Sequence, residues 1–235
     1  GVKGAPVNVR TGELLGKRKR IETPQPSTPA AVLEVIARVM KAFSWKGRVG
    51  ITVPGVVQGG VIKSAVNIDS GWVGFKAQKR FSKDLRRKVA VLNDADAAGI
   101  AEMRLGAAQG RKGVVFLATF GTGIGTALFN NGRLLPNTEL GHIEINGVDA
   151  ELHAAGRLRK RGDLQWDDYA ERVDDYLAQI ERLLNPDLIV IGGGVSKDHE
   201  AWLHLLNRKT EVVPAHFGNN SGIIGVALHA RRTLA

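Results

Sequence analysis

The sequence contains no cysteine. That excludes disulfides and thiolate–zinc sites, and it is compatible with the cytoplasm, the expected location. No apolar run approaches the roughly 18–20 residues that a membrane-spanning helix needs, and no basic-then-apolar secretory pattern is present. Internal repeats of fixed short period and low-complexity tracts are also missing. So is any aromatic-interleaved RNA-binding signature. Neither a membrane nor a specific nucleic acid is therefore expected as a partner.

Acidic residues are in deficit, 23 against 33 Lys and Arg, for a net charge of +10. The excess is clustered in Lys17-Arg18-Lys19-Arg20, residues 76–80, Arg86-Arg87-Lys88 and residues 157–161. Any one run is an ordinary solvated face; their sum describes a surface that attracts polyanions. With 235 residues, 43% of them hydrophobic, the chain is long enough for one large domain or two small ones, each with a real core. Its 29 glycines suggest many tight turns or close backbone approaches to a ligand.

Patterning gives an α/β chain with both hairpin and crossover connections. Residues 2–9 and 13–21 read as strands around a turn at Arg10-Thr11-Gly12. A Pro-rich connector, residues 23–29, leads into a helix with Thr28 as N-cap and Pro29 at its first position. Val32, Ile36, Val39, Met40 and Phe43 then form its buried stripe. Residues 49–53 and 89–92 read as short buried strands, with an Ala-rich helix starting near Asp94. Residues 114–119 and 126–129 flank a glycine turn, and Asn131-Gly132 marks a hairpin. Residues 166–184 predict a long amphipathic helix, residues 188–191 a strand, and residues 222–232 a final helix.

Four segments carry chemistry. Asn93-Asp94 stands where a buried strand meets a helix, so a carboxylate can project there and take a proton from an attacking hydroxyl. The same pair also suits helix capping, and the sequence leaves both readings open. Gly121-Thr122-Gly123-Ile124-Gly125 lies between two strands, which excludes a dinucleotide fingerprint and a Walker A loop. Bare backbone N–H groups there can hold phosphate oxygens; the competing reading is a hairpin that needs positive φ. Glu139-Leu140-Gly141-His142 offers a carboxylate and an imidazole to vicinal hydroxyls, and Glu151 reads as a first-turn helix acid. Gly192-Gly193-Gly194 follows an apolar strand and suits either close approach of a nucleotide or a tight βα turn.

Taken in order, these motifs resemble the ROK family of sugar kinases over nearly the whole chain, and within it the branch that uses polyphosphate. The resemblance implies a two-domain actin-like/hexokinase-like (ribonuclease H-like) fold with the sugar in an interdomain cleft. The small domain would be residues 1–93 completed by the C-terminal helix 221–235, and the large one residues 94–220. The implied reaction is phosphoryl transfer from inorganic polyphosphate or ATP, with Mg²⁺, to the 6-hydroxyl of glucose or mannose. Asp94 would be the base and Asn93 would hold the sugar beside it. Pro54, Gly55 and Asn67 would form the small-domain wall of the sugar site, with Glu139, His142 and Glu151 contacting sugar hydroxyls. Gly121, Thr122, Gly123 and Gly125 would form a phosphate loop, and Gly192, Gly193 and Gly194 the nucleoside-side loop. A homodimer is compatible with the resemblance.

Two departures stand out. Most ROK proteins carry a Cys-rich zinc segment after the Gly-His pair, whereas residues 143–151 contain no Cys; the polyphosphate branch shares this, so no zinc is expected. The family's first phosphate loop, Asp-x-Gly-Gly-Thr, should stand just before Gly1. Either an opening segment precedes this sequence or the chain lacks that grip on the phosphoryl group; the former is the expectation. Two alternatives remain open, an ATP-only ROK hexokinase and a non-catalytic sugar-binding ROK protein. The repressor branch is marked by an N-terminal helix-turn-helix, and none is recognisable.

Overall fold

The structure, a computed structural model, describes residues 1–65, 68–161 and 164–234, with every side chain of these except that of Arg161. The chain forms two compact units, one of Gly1–Ala101 with Gly222–Ala235 and one of Glu102–Ser221.

In the first unit the strands Val49–Val53 and Val89–Asn93 pair in parallel, with Val53 opposite Asn93. Alternation is complete in the first strand and absent in the second, whose five residues are all buried, as a strand covered on both faces requires. The helix Pro29–Ala42 starts as its sequence demands: the Thr28 hydroxyl accepts the Ala31 N–H at 3.3 Å and Pro29 occupies the first turn. Its Ile36 joins Val49, Ile51 and Val53 of the first strand, together with Trp72 and Phe81, in one cluster. The hairpin of residues 2–21 is shorter than its hydrophobic pattern predicts. Only Val2–Gly4 and Lys19–Ile21 pair as strands, with a single further bridge between Val7 and Leu14. Pro6, which has no N–H to give a ladder, accounts for the break.

The helix Asp94–Leu105 begins in this unit, and the division between units falls inside it, after Ala101, eight residues beyond the boundary predicted at Asn93. Its early turns belong to the first unit because Ala97 packs with Leu92 and with Val226 of the helix Ser221–Thr233. The Glu102 carboxylate bonds to residues of the second unit, as described below.

The second unit is built on a five-stranded sheet in the order Val212–Pro214, Leu188–Gly193, Val114–Phe120, Ile124–Asn130, Arg133–Leu135. The first three strands are parallel, and the last two continue antiparallel through hairpins. Asn131-Gly132 turns the second hairpin with positive φ at both residues, 49° and 74°. Across the sheet lies the helix Trp166–Leu184, which buries Tyr169, Ala170, Val173, Tyr176, Leu177 and Ile180, all at 2% exposure or less. Their spacing of three and four is that of a single helical stripe, and each large side chain so buried contributes roughly 1.5–3 kcal/mol. Phe116, Phe120, Ile189 and Ile191 meet it from the sheet.

Candidate active site

In the first unit, parallel pairing sets Val53 beside Asn93, so the segments that leave these two strands emerge side by side. Asn93 is buried and committed to protein. Its side-chain oxygen accepts the N–H groups of Ala95 at 2.8 Å and Asp96 at 3.0 Å, and its amide donates to the Gly55 carbonyl at 3.1 Å. Asn93 is thus the helix cap and also fixes the Pro54-Gly55 turn. That turn is further locked by the Ser64 hydroxyl, which accepts the Val56 N–H at 2.9 Å. Gly55 has φ of 156°, and a β-carbon there would lie 2.5 Å from the Ser64 carbonyl oxygen. Asn67 lies outside the described residues.

With capping performed by Asn93, Asp94 stands at the first helical position as an exposed residue whose carboxylate is free of the capping role. It only shares a donor with Asn93, the Ala95 N–H, at 2.9 Å. Surrounding protein desolvates the group enough to raise its pKa above the ordinary aspartate value; the N–H groups of Ala95 and Asp94 pull the other way. An upward-shifted carboxylate at a helix start is equipped to accept a proton.

In the second unit the glycine turn is held from one side by Glu151 and Arg157. Glu151 accepts the Ile124 N–H at 3.1 Å, and a β-carbon on residue 123 would stand 2.0 Å from its carboxylate. Arg157 donates its backbone N–H to the Gly121 carbonyl at 2.8 Å, and its guanidinium to the Thr122 carbonyl and to Glu151 at 3.2 Å. None of Gly121, Gly123 and Gly125 has positive φ, so the hairpin explanation for these glycines fails. A β-carbon at Gly121 would meet nothing within 4 Å. Glycine is therefore demanded there neither by backbone conformation nor by crowding, and it leaves the peptide bare on its open side.

His142 and Glu151 come together on a residue the sequence did not single out, Asp149, and the charge of Glu139 acts on His142. Asp149 caps the helix Ala150–Ala154 by accepting the Glu151 N–H at 2.7 Å, and it accepts the His142 Nδ1–H at 2.9 Å. That bond is the main cause of an upward shift in the His142 pKa, opposed by partial burial and reinforced by the charges of Asp149, Glu151 and Glu139. Burial alone would push Asp149 up; the bonds from His142 and Glu151 outweigh it and hold the carboxylate below its usual value. Gly141 allows the loop to approach the sheet, since a β-carbon would be 2.0 Å from the Ile124 carbonyl oxygen. The buried Tyr176 hydroxyl donates to the Leu140 carbonyl at 3.2 Å, and Tyr169 to Ala154 at 3.1 Å. The long helix therefore anchors the acid–histidine segment at Leu140 and the helix that follows it at Ala154. Asp149 and Arg157 carried no local signal beyond a turn acid and a basic run, and only the folded contacts give them roles.

At the end of Leu188–Gly193, Gly193 has φ of 82°, and a β-carbon there would lie 2.3 Å from the Phe120 carbonyl oxygen. It is required by the tight turn. A β-carbon on Gly192 would meet the Thr119 side chain at 3.2 Å, whereas one on Gly194 would find only Lys160, at 3.9 Å. The segment that follows borders a cleft of about 590 Å³ lined by Gly106, Ala107, Ser196, Lys197, Ala215 and His216 among others; the three glycines themselves do not line it. Glu102, fully buried, ties two rims of this cleft together. Its carboxylate accepts the N–H groups of Ala107 at 3.0 Å, His216 at 2.9 Å and Phe217 at 3.0 Å, and the Ser221 hydroxyl at 2.9 Å.

Comparison with known proteins accords with this geometry. The ROK family model matches residues 7–160. A polyphosphate glucokinase of Mycobacterium tuberculosis is 45% identical over 97% of this chain and 86% of its own length. One from Mycobacterium leprae is 43% identical over 97% of this chain and 70% of its own. The crystal structure of the inorganic polyphosphate/ATP-glucomannokinase of Arthrobacter sp. strain KM superposes with a TM-score of 0.93 at 43% identity, covering 98% of this chain and 94% of that one. The fold is accordingly the two-domain actin-like, hexokinase-like one, and the chain belongs to the ROK family.

Proposed function

We propose that this protein is a polyphosphate- and ATP-dependent glucokinase that also accepts mannose, acting in the cytoplasm. The observation that carries the reading is the division of labour at the strand-to-helix edge. Asn93 satisfies the helix start, so Asp94 is left with a carboxylate of raised pKa that the cap does not need. Similarity to two polyphosphate glucokinases and to a polyphosphate/ATP-glucomannokinase supports the choice of donor and acceptor.

In the proposed reaction Asp94 takes the proton of the sugar 6-hydroxyl as that oxygen bonds to the terminal phosphorus. The bond from phosphorus to the bridging oxygen breaks, and its electrons leave on the shortened polyphosphate or on ADP. The N–H groups of Thr122 and Gly123 face the phosphoryl oxygens, since those of Gly121 and Ile124 are taken by the Gly123 carbonyl and Glu151; fixed dipoles there stabilise charge as it develops. The Glu151–Arg157 pair keeps that turn in place. His142, held by Asp149, and Glu139 read the sugar hydroxyls; an analogue lacking a hydroxyl would leave them unpaired. The nucleoside of ATP occupies the cleft beside Ser196, Lys197 and His216.

Mg²⁺ normally binds through substrate phosphates with one or two protein carboxylates. Among the described residues no group of three His, Cys, Asp or Glu side chains is placed to hold a metal; an ion brought with the donor would be held by the donor's own phosphates. Such an ion would neutralise the donor oxygens.

Purified protein assayed with ATP and with polyphosphate, each against glucose, mannose and fructose, tests the reading. Turnover of glucose with both donors is expected. Turnover with ATP alone would reduce the protein to an ATP-dependent hexokinase, and binding of glucose without turnover on either donor would make it a non-catalytic sugar binder.

A further inference from the structure

We propose that the first unit carries a separate anchoring groove for a long inorganic polyphosphate chain, formed around Arg86, Arg87 and Lys88. This rests on the donor assignment above and adds a site to it.

The groove encloses about 670 Å³ between the end of the helix Ala77–Leu85, the start of the strand Val89–Asn93 and the C-terminal residues Thr233 and Leu234. Three features mark it as built for an anion. Arg86 ends its helix in the left-handed conformation, with φ of 51°, at a position where glycine or asparagine is the usual relaxed choice. A strained arginine there keeps a cation at the groove that glycine would remove. Arg87 has a buried Nε–H with no hydrogen-bond partner, while its terminal nitrogen donates to the Arg86 carbonyl at 2.7 Å. Lys88 and Arg48 share a single acceptor, the Leu234 carbonyl, at 3.3 and 2.9 Å. Among the described residues no carboxylate forms an ion pair with Arg86, Arg87 or Lys88. Three adjacent cations thus line one open groove.

Its place in the unit separates it from the reacting groups. Val89 opens the strand that Asn93 closes, and five extended residues put about 13 Å between the two ends. A ligand in the groove therefore sits at the opposite end of the strand from Asp94. The lining contains no aromatic ring, and bases of a single-stranded nucleic acid bind chiefly by stacking on aromatic groups. A chain of phosphates needs no such platform and presents a charge at every repeat. Held at this groove, it raises the local concentration of its own end near the transfer site, an effect open only to chains long enough to span the gap.

The test compares the parent protein with Arg86→Gly/Arg87→Gln/Lys88→Gln, in which the glycine also relieves the backbone strain and so protects the fold. Initial rates are measured with long-chain polyphosphate, tripolyphosphate and ATP at fixed glucose. Binding of long-chain polyphosphate without sugar is measured across a salt series, with a single-stranded oligonucleotide as competitor. In the variant, KM for the long chain should rise at least about tenfold, with kcat and the KM values for tripolyphosphate and ATP unchanged. The slope of log K against log salt should fall by about 2, three contacts at roughly 0.7 each. Equal shifts for long and short donors, or none, would overturn the anchor. So would an oligonucleotide that displaces the polymer at equal charge, since the groove would then be a nucleic-acid surface. If the parent turns over no polyphosphate at all, the donor assignment fails, while the binding arm still reports whether the groove holds the polymer.

Discussion

At the first turn of the helix Asp94–Leu105 two side chains compete for the same donors. Asn93 takes the N–H groups of Ala95 and Asp96, and Asp94 only shares the first of them. Removing the Asp94 charge should therefore cost little stability and much chemistry. Asp94→Asn should lower kcat by roughly 10²–10⁴-fold, the usual worth of a general base, with hexose affinity almost unchanged. The raised pKa of this group gives the sign of the pH effect. The base works only when deprotonated, so the acid limb of kcat/KM should fall at a pH above the ordinary aspartate range as protons return, and the variant should lose that limb. Near-normal kcat in Asp94→Asn, or an unchanged acid limb, would show that proton removal lies elsewhere. An Asn93→Ala change should behave differently, because it removes a cap and releases Gly55.

At the scale of elements, the strands and helices with strong periodicity were legible in the sequence. The strand Val49–Val53, the helix from Asp94, the Asn131-Gly132 hairpin and the helix Trp166–Leu184 all carry local signals that agree with their tertiary use. The helix Ala77–Leu85 was not, because its surface is a run of cations and only Ala77 and Phe81 are buried. Two-residue strands such as Glu144–Ile145 and Val148–Asp149 have too short a pattern to read. The roles of Asp149, Arg157 and Glu102 exist only through contacts that folding creates. Glu102 shows how much such a residue carries. Glu102→Gln keeps its size but turns an N–H₂ toward backbone N–H groups of Ala107 and His216 or Phe217, leaving donors unsatisfied at about 1–3 kcal/mol each. Chemical unfolding should register a loss of about 2–5 kcal/mol on that basis. Because those donors belong to two rims of one cleft, KM for ATP should rise while KM for polyphosphate changes little. Parallel rises for both donors would mean that the cleft does not hold the nucleoside.

For the whole molecule, the net charge of +10 acts on both donors but not equally. A long polyphosphate has neither base nor ribose, so its affinity must come from cations and backbone N–H groups, and each neutralised phosphate releases counterions. At about 0.7 in the logarithmic slope per contact, four contacts predict roughly a fifty-fold loss of affinity between about 50 and 200 mM KCl. ATP has fewer charges and gains part of its binding from the nucleoside, a contribution that salt leaves largely intact. Two sets of initial rates at fixed glucose, one per donor, should therefore diverge as KCl is added: KM for polyphosphate climbs steeply while KM for ATP rises by a small factor. The direction also carries a kinetic corollary, because a basic surface steers polyanions toward it and that steering weakens as ions screen the field. Low salt should favour polyphosphate as donor and high salt should favour ATP in a mixture of the two. Equal salt dependence for the two donors would mean that the basic clusters are solvated faces without a part in donor binding, and that the polymer is gripped only at its terminal phosphates.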